Sequence, residues 1–182
     1  MARLPYLDKK DLSPENQDLL DRPINLNRVL VHSPNCRRAG LQMAMFIRFK
    51  SKLNPRLKEL AIMAVGYLTR APYEWSHHVI LGKDFGVSDE DMRELVNLLE
   101  GRPHKLDEHV VLAVKGAREM TENIAMSEET FNALHAFLSN EEMVDLIVTI
   151  GHYNSMVRVL ATLQVDIEDD YMPGLKKMPL PA

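Results

Sequence analysis

Asn54-Pro55-Arg56-Leu57-Lys58-Glu59-Leu60-Ala61-Ile62-Met63-Ala64-Val65-Gly66-Tyr67-Leu68 is the stretch that decides how this 182-residue chain folds. Asn54 is a good helix cap, and Pro55 a good first helical residue, because its ring fixes φ near the helical value and its missing N–H would have had no partner anyway. Over residues 60–68 the run is apolar around the whole circumference. Such a helix has no face to give to water and belongs at the centre of the molecule. No segment has the strict alternation of a strand; His109-Val110-Val111-Leu112 resembles one, but its neighbours keep helical spacing. The sequence therefore predicts an all-α protein.

Working outward, Arg70-Ala71-Pro72 breaks the central helix and opens another over 72–85, with Gly86 placed to close it. Ser88 followed three residues later by Asp91 reads as a capping box for a helix that ends near Leu99, before Gly101 and Pro103. Further helices are expected over 107–120, 127–138 and 140–163. Upstream, Ser13-Pro14 opens a short helix over 11–20, and a second over 25–31 is stopped by Ser33-Pro34. An amphipathic helix over 36–50 then carries Leu41, Ala44, Met45 and Phe49 on one side. From Asp166 onward the chain is acidic, then proline-rich over 169–182.

The length suits one domain, 1–182. Hydrophobic residues make up 46% and charged residues 26%, the balance of an ordinary globular protein and not of a disordered one. A formal charge of −4 with scattered Lys and Arg gives no basic stripe for a phosphate backbone, so nucleic acid is not an expected partner. The N-terminus lacks an apolar signal region, and no stretch reads as an uninterrupted membrane span. A cytoplasmic protein without a membrane partner is expected. Cys36 is the single cysteine, so an intrachain disulfide is impossible and dithiol redox chemistry is disfavoured.

Chemistry concentrates in Tyr73-Glu74-Trp75-Ser76-His77-His78, beside the most apolar helix. Glu74 and His78 are four apart and share a helical face, whereas His77 is turned away by roughly 100°. A carboxylate beside an imidazole can orient the ring and raise its pKa, which suits general acid/base work. An exposed pair at this spacing would be worth only a few tenths of a kcal/mol. Glu59 looks onto packed structure through Met63, Gly66 and Arg70, but in a level hairpin it would sit roughly 7 Å from the height of His78. A metal site built from Glu59, Glu74 and His78 is the weaker alternative, since no recognised metal signature is present.

Arg56-Leu57-Lys58-Glu59-Leu60-Ala61-Ile62, then Tyr73 to His78, then Gly86-Val87-Ser88-Asp89-Glu90 resemble the core of the carboxymuconolactone decarboxylase family. Tyr153-Asn154-Ser155-Met156-Val157-Arg158 and Asp166-Ile167-Glu168 resemble the end of the same domain, giving a family core at about 53–168. The resemblance implies a single-domain helical bundle of the alkylhydroperoxidase D-like type that self-associates, as a homotrimer or hexamer. The family's peroxidase branch has a glutamate, a Cys-x-x-Cys and a histidine. The glutamate and histidine fall on Glu59 and His78, but the cysteine positions are Ala71 and Glu74. The resemblance thus implies a cofactor-independent lyase or isomerase acting on a small lactone or aromatic-catabolite acid, with Glu59, Glu74 and His78 catalytic. Tyr73, Trp75, His77, His152, Tyr153 and Arg158 are the candidates for holding that small-molecule substrate, and no cofactor or metal is implied. A non-catalytic binding module, or a relative of the peroxidases in name only, is the alternative.

Overall fold

The computed structural model describes residues 2–181. Its α-helices, in chain order, are α1 (Asn25–Leu30), α2 (Pro34–Phe49), α3 (Pro55–Leu68), α4 (Pro72–Leu81), α5 (Asp89–Leu99), α6 (Glu108–Glu122), α7 (Glu128–His135), α8 (Asn140–Leu163) and α9 (Met172–Lys177). No strand occurs among the described residues. The His109–Leu112 run lies inside α6, where Val110 faces the core.

The apolar circumference of α3 is used as expected: every residue from Leu57 to Tyr67 is buried. The Asn54 side chain accepts the Leu57 N–H at 3.1 Å, and α4, α5, α6 and α8 surround the helix. Leu60, Ala61 and Ala64 are fully buried in a core that also holds Trp75, Leu95, Val110, Leu146 and Ile150 from those neighbours. Each large aliphatic side chain buried this way contributes about 1.5–3 kcal/mol. Two of the buried positions on α3 are charged, Lys58 and Glu59. Lys58 donates from Nζ to the Ile47 carbonyl at 2.5 Å, fastening α2 to α3.

The α3–α4 turn holds Arg70 at φ 50°, and the Ala71 N–H returns to the Gly66 carbonyl at 2.9 Å. Pro72 then starts α4. The helix expected over 72–85 narrows to a 3-10 turn at Gly82–Phe85, and Gly86 closes it at φ 87°, in the left-handed region that glycine enters without a Cβ clash. Ser88 and Asp91 form the anticipated capping box.

Two expectations near the N-terminus need correction. Helix α1 ends at Leu30, ahead of Ser33-Pro34 as expected, but Pro34 is itself the first residue of α2, which begins two positions earlier than expected. The segment Pro14–Leu20 is a 3-10 helix, and the Ser13 hydroxyl donates to Glu15 at 2.5 Å instead of capping the backbone. It still buries Leu19 and Leu20, which pack with Val31 into a small second core beneath α2.

The proline-rich tail is folded. Its α9 lies directly on α4, so close that a Cβ on Gly174 would stand 2.5 Å from the Ser76 carbonyl oxygen. Only glycine fits there. Helix α8 is long and apolar enough to cross a membrane by length and composition, which the sequence reading did not anticipate; it buries Met143, Leu146 and Ile150 against α3 and α6.

Candidate active site

The first turns of α4 place three polar side chains in sequence, and the packing of α3 against α4 decides what each meets. His78 projects toward Glu59 of α3, and its Nδ1 lies 2.6 Å from Glu59 Oε2. Its Nε2 lies 3.4 Å from Glu74 Oε2, one turn back on the same helix. Glu59 is 1% exposed, Glu74 6% and His78 7%, so this is not the solvated surface pair that spacing alone allows. The offset expected of a level hairpin is absent, and α3 and α4 bring the two side chains together.

Burial disfavours the imidazolium, but the two carboxylates outweigh it and lift the His78 pKa to about 9. At neutral pH the ring is therefore a cation, with Nδ1–H donating to Glu59 and Nε2–H on the Glu74 side. The Tyr153 ring stands edge-on to it, centroids 5.1 Å apart at 84°. Burial, with the charges of Glu74 and Glu59, pushes the Tyr153 phenol well above its ordinary value, so it keeps a proton to donate.

His77 points the other way and meets a different environment. Its Nε2 lies 2.7 Å from Glu168 Oε2, and its ring is sandwiched between Tyr73 at 4.2 Å and Tyr171 at 3.5 Å. Burial holds its pKa below the ordinary value, so the neutral ring donates Nε2–H to the carboxylate. Glu168 also accepts the Tyr73 hydroxyl at 2.8 Å and the Asn25 N–H at 2.5 Å. Burial opposes its charge, yet these donors hold its pKa down to about 2.

Glu59, Tyr73, Glu74, His77, His78, His152 and Tyr153 all line one cavity of about 570 Å³, within the usual range for a small-molecule site. Residues of the 22–30 segment, Arg37, Leu41, Ala44, Met45 and Arg48 of α2, Phe85 and Met156 also contribute to its wall. Burial lowers the His152 pKa, and its ring meets Tyr153 edge-on at 5.7 Å. Cys36 is exposed and lies outside the lining.

Two expected wall residues are elsewhere. Trp75 is wholly buried in the core, edge-on to Tyr67, with Nε1 donating to the Met178 carbonyl at 2.5 Å, because its position on α4 faces α3 and the tail. Arg158 is exposed, bonded to Asn154 one turn back, and borders a separate cleft between the α3–α4 turn and the end of α8. Among the described residues no three histidine, cysteine or carboxylate side chains are placed to hold a metal ion. Glu59 and Glu74 sit at opposite nitrogens of one ring, so they do not converge on a common point with it.

Glu168, bonded to the cavity-lining His77, and Arg37, in the cavity wall, are residues that the sequence did not single out as functional. Glu168 was visible as part of an acidic tail and of the run resembling the end of the family domain, 91 residues from its histidine. Arg37 carried a fainter signal, since it precedes Leu41, Ala44 and Met45 by four, seven and eight positions and so shares their helical stripe.

The fold is that of the alkylhydroperoxidase D-like helical proteins. The alkylhydroperoxidase AhpD core, an uncharacterised peroxidase-related protein from Ralstonia eutropha JMP134, superposes with a TM-score of 0.78 at 14% identity, over 93% of this chain and 94% of that one. An uncharacterised peroxidase-related protein from Silicibacter sp. TM1040 gives 0.72 at 16%, over 93% and 95%. The debrominase Bmp8, a cysteine-to-alanine variant in complex with 2,3,4-tribromopyrrole, gives 0.79 at 16%, over 97% and 99%. No curated protein matches the sequence. Residues 34–100 match the profile of the carboxymuconolactone decarboxylase family. The matched segment starts earlier and ends earlier than the expected 53–168; it contains Glu59, Glu74 and His78, while Tyr153 to Glu168 lie beyond it.

Proposed function

We propose that this protein is a cofactor-independent acid/base enzyme of the lyase or isomerase type, acting on a small lactone or related organic acid bound in the 570 Å³ cavity. The buried Glu59–His78 pair carries the reading: a 2.6 Å contact that keeps the imidazole charged and oriented at neutral pH. The match of residues 34–100 to the carboxymuconolactone decarboxylase family and a cavity-lining position for His78 support it. One cysteine supplies no dithiol, so proton transfer, not thiol redox cycling, is the chemistry these side chains favour.

In a decarboxylation the carbon–carboxylate bond breaks, CO2 leaves, and the electron pair stays on carbon, delocalised into the lactone carbonyl. His78 Nε2–H protonates that carbon and the ring becomes neutral, to be recharged from solvent. Glu59 fixes the ring by its Nδ1–H bond, so no reorientation is needed during transfer. Tyr153, which keeps its phenolic proton and lines the same cavity, donates to the carbonyl oxygen as charge grows there. An apolar wall favours loss of the substrate's charge.

Incubating the protein with lactone and aromatic-catabolite acids, read by mass spectrometry, should find a substrate that loses CO2 or isomerises. The His78→Ala variant should not turn it over while its circular dichroism stays helical. Full activity in that variant would sink the reading. Self-association as a homotrimer or hexamer is part of the proposal, supported by exposed Met43, Met45, Phe49 and Val144 on α2 and α8. Light scattering that finds a strict monomer would contradict it.

A further inference from the structure

Three arginines line the cavity, and they differ in what holds them. Arg22 donates from Nη2 to the Tyr171 hydroxyl at 3.0 Å. Arg48 lies over the rings of Phe49 and Phe85, 5.5 and 5.9 Å from their centroids, partly exposed. Arg37 has neither kind of partner. It is 7% exposed, its Nε is buried with no hydrogen-bond partner, and its guanidinium makes no ion pair with any carboxylate among the described residues.

A buried guanidinium is an unusual thing to leave alone. Burial pushes its pKa down, but arginine starts so high that it stays protonated at any physiological pH, so it cannot escape the cost by becoming neutral. Buried charges are paired or they bind something. The two carboxylates of the cavity are already engaged with His78. The same α2 stripe places Leu41, Ala44 and Met45 next along the wall, an apolar bed beside a cation.

We propose that Arg37 is the anion-binding residue of this cavity, pairing with the carboxylate of an organic acid whose apolar body rests against Leu41 and Met45. The fork of N–H donors suits a carboxylate bidentately, and a ligand so held has one end fixed on α2 while the rest of it extends into the cavity that His78 also lines. The assignment builds on the reading of this cavity as a site for small acids, but its test needs no turnover.

The full chain is titrated at pH 7 with benzoate and, separately, with benzamide, its uncharged counterpart, by isothermal calorimetry. Wild type should bind benzoate at least about tenfold more tightly than benzamide, the scale of one charge-assisted contact. Arg37→Met keeps the length of the stem and removes the charge. It should lose that preference while benzamide binding stays the same, and its melting temperature should hold or rise, because a buried unpaired cation has gone. Arg37→Lys should keep part of the preference. Equal binding of the two probes by wild type, an unchanged preference in Arg37→Met, no saturable benzoate binding, or a melting temperature that falls sharply in Arg37→Met would each overturn the assignment. The catalytic reading fails separately, through a His78 variant that retains turnover; benzoate selectivity at Arg37 would survive that result.

Discussion

His77 and His78 are chain neighbours on one helix, both buried, both bonded to a glutamate, and the protein uses them in opposite protonation states. His78 faces two carboxylates, Glu59 and Glu74, and is charged. His77 has one, Glu168, which already accepts from Tyr73 and Asn25, and its ring is sealed between two tyrosines. With its charge shared among three donors, that carboxylate pulls less on any one of them, and desolvation decides the ring. A histidine's role thus follows from how many carboxylates it meets and how far those are already committed, not from whether it has an acidic partner. His77, Tyr73 and Glu168 tie α1, α4 and the tail together, a clasp beside the site; His78 is the group poised to give a proton.

The sharpest way to break this division is to exchange each ring for a neutral amide. His78→Gln should lower turnover about 10²- to 10⁴-fold, the usual weight of a general acid, with helical content retained. Because that change leaves Glu59 buried beside a neutral group, the double variant Glu59→Gln/His78→Gln serves as the folding control. His77→Gln should instead cost mainly stability. Comparable losses of turnover in the two single variants, at comparable melting temperatures, would erase the distinction.

A smaller effect is expected from Glu168→Gln. It weakens three hydrogen bonds at once, two of them to uncharged side chains, and should destabilise the fold by about 1–3 kcal/mol in chemical denaturation. The melting temperature should fall while His78 keeps its charge. If instead His78 loses its raised pKa, the clasp and the site are one unit.

The pH dependence of stability sharpens the same contrast. His78 is raised from about 6.5 to about 9 on folding, so its contribution is complete below about pH 6.5 and is lost as pH rises through about 9. Glu168 is depressed to about 2, so its contribution is present above about pH 4.5 and is lost as pH falls toward 2. Denaturation of wild type should weaken at both ends. His78→Gln should flatten the alkaline limb only, and Glu168→Gln the acid limb only.

The all-helical fold was legible because the chain is punctuated strongly: the Asn54 cap, the apolar circumference of α3, the Ser88 box and the Gly86 closure are local signals that packing did not override. The site was half legible. Glu74 and His78 share a face by spacing, and that is a property of one helix. Glu59 meeting His78 depends on how two helices pack, which no spacing gives. Glu168 reaches His77 only because α9 lies flat on α4, with Gly174 against Ser76. Trp75 reads the same whether it walls a cavity or fills a core, and only the packing chooses. Arg158 sits near Tyr153 in sequence yet turns to another side of α8.

The most direct test of the central claim is a nitrogen-15 NMR titration of the imidazole rings, assigned with the His77→Gln and His78→Gln variants. His78 should show both ring nitrogens protonated at pH 7 and titrate near 9, while His77 stays neutral with its proton on Nε2. A His78 ring that is neutral at pH 7, or that titrates at the ordinary value near 6.5, would contradict the assignment of His78 as the buried acid.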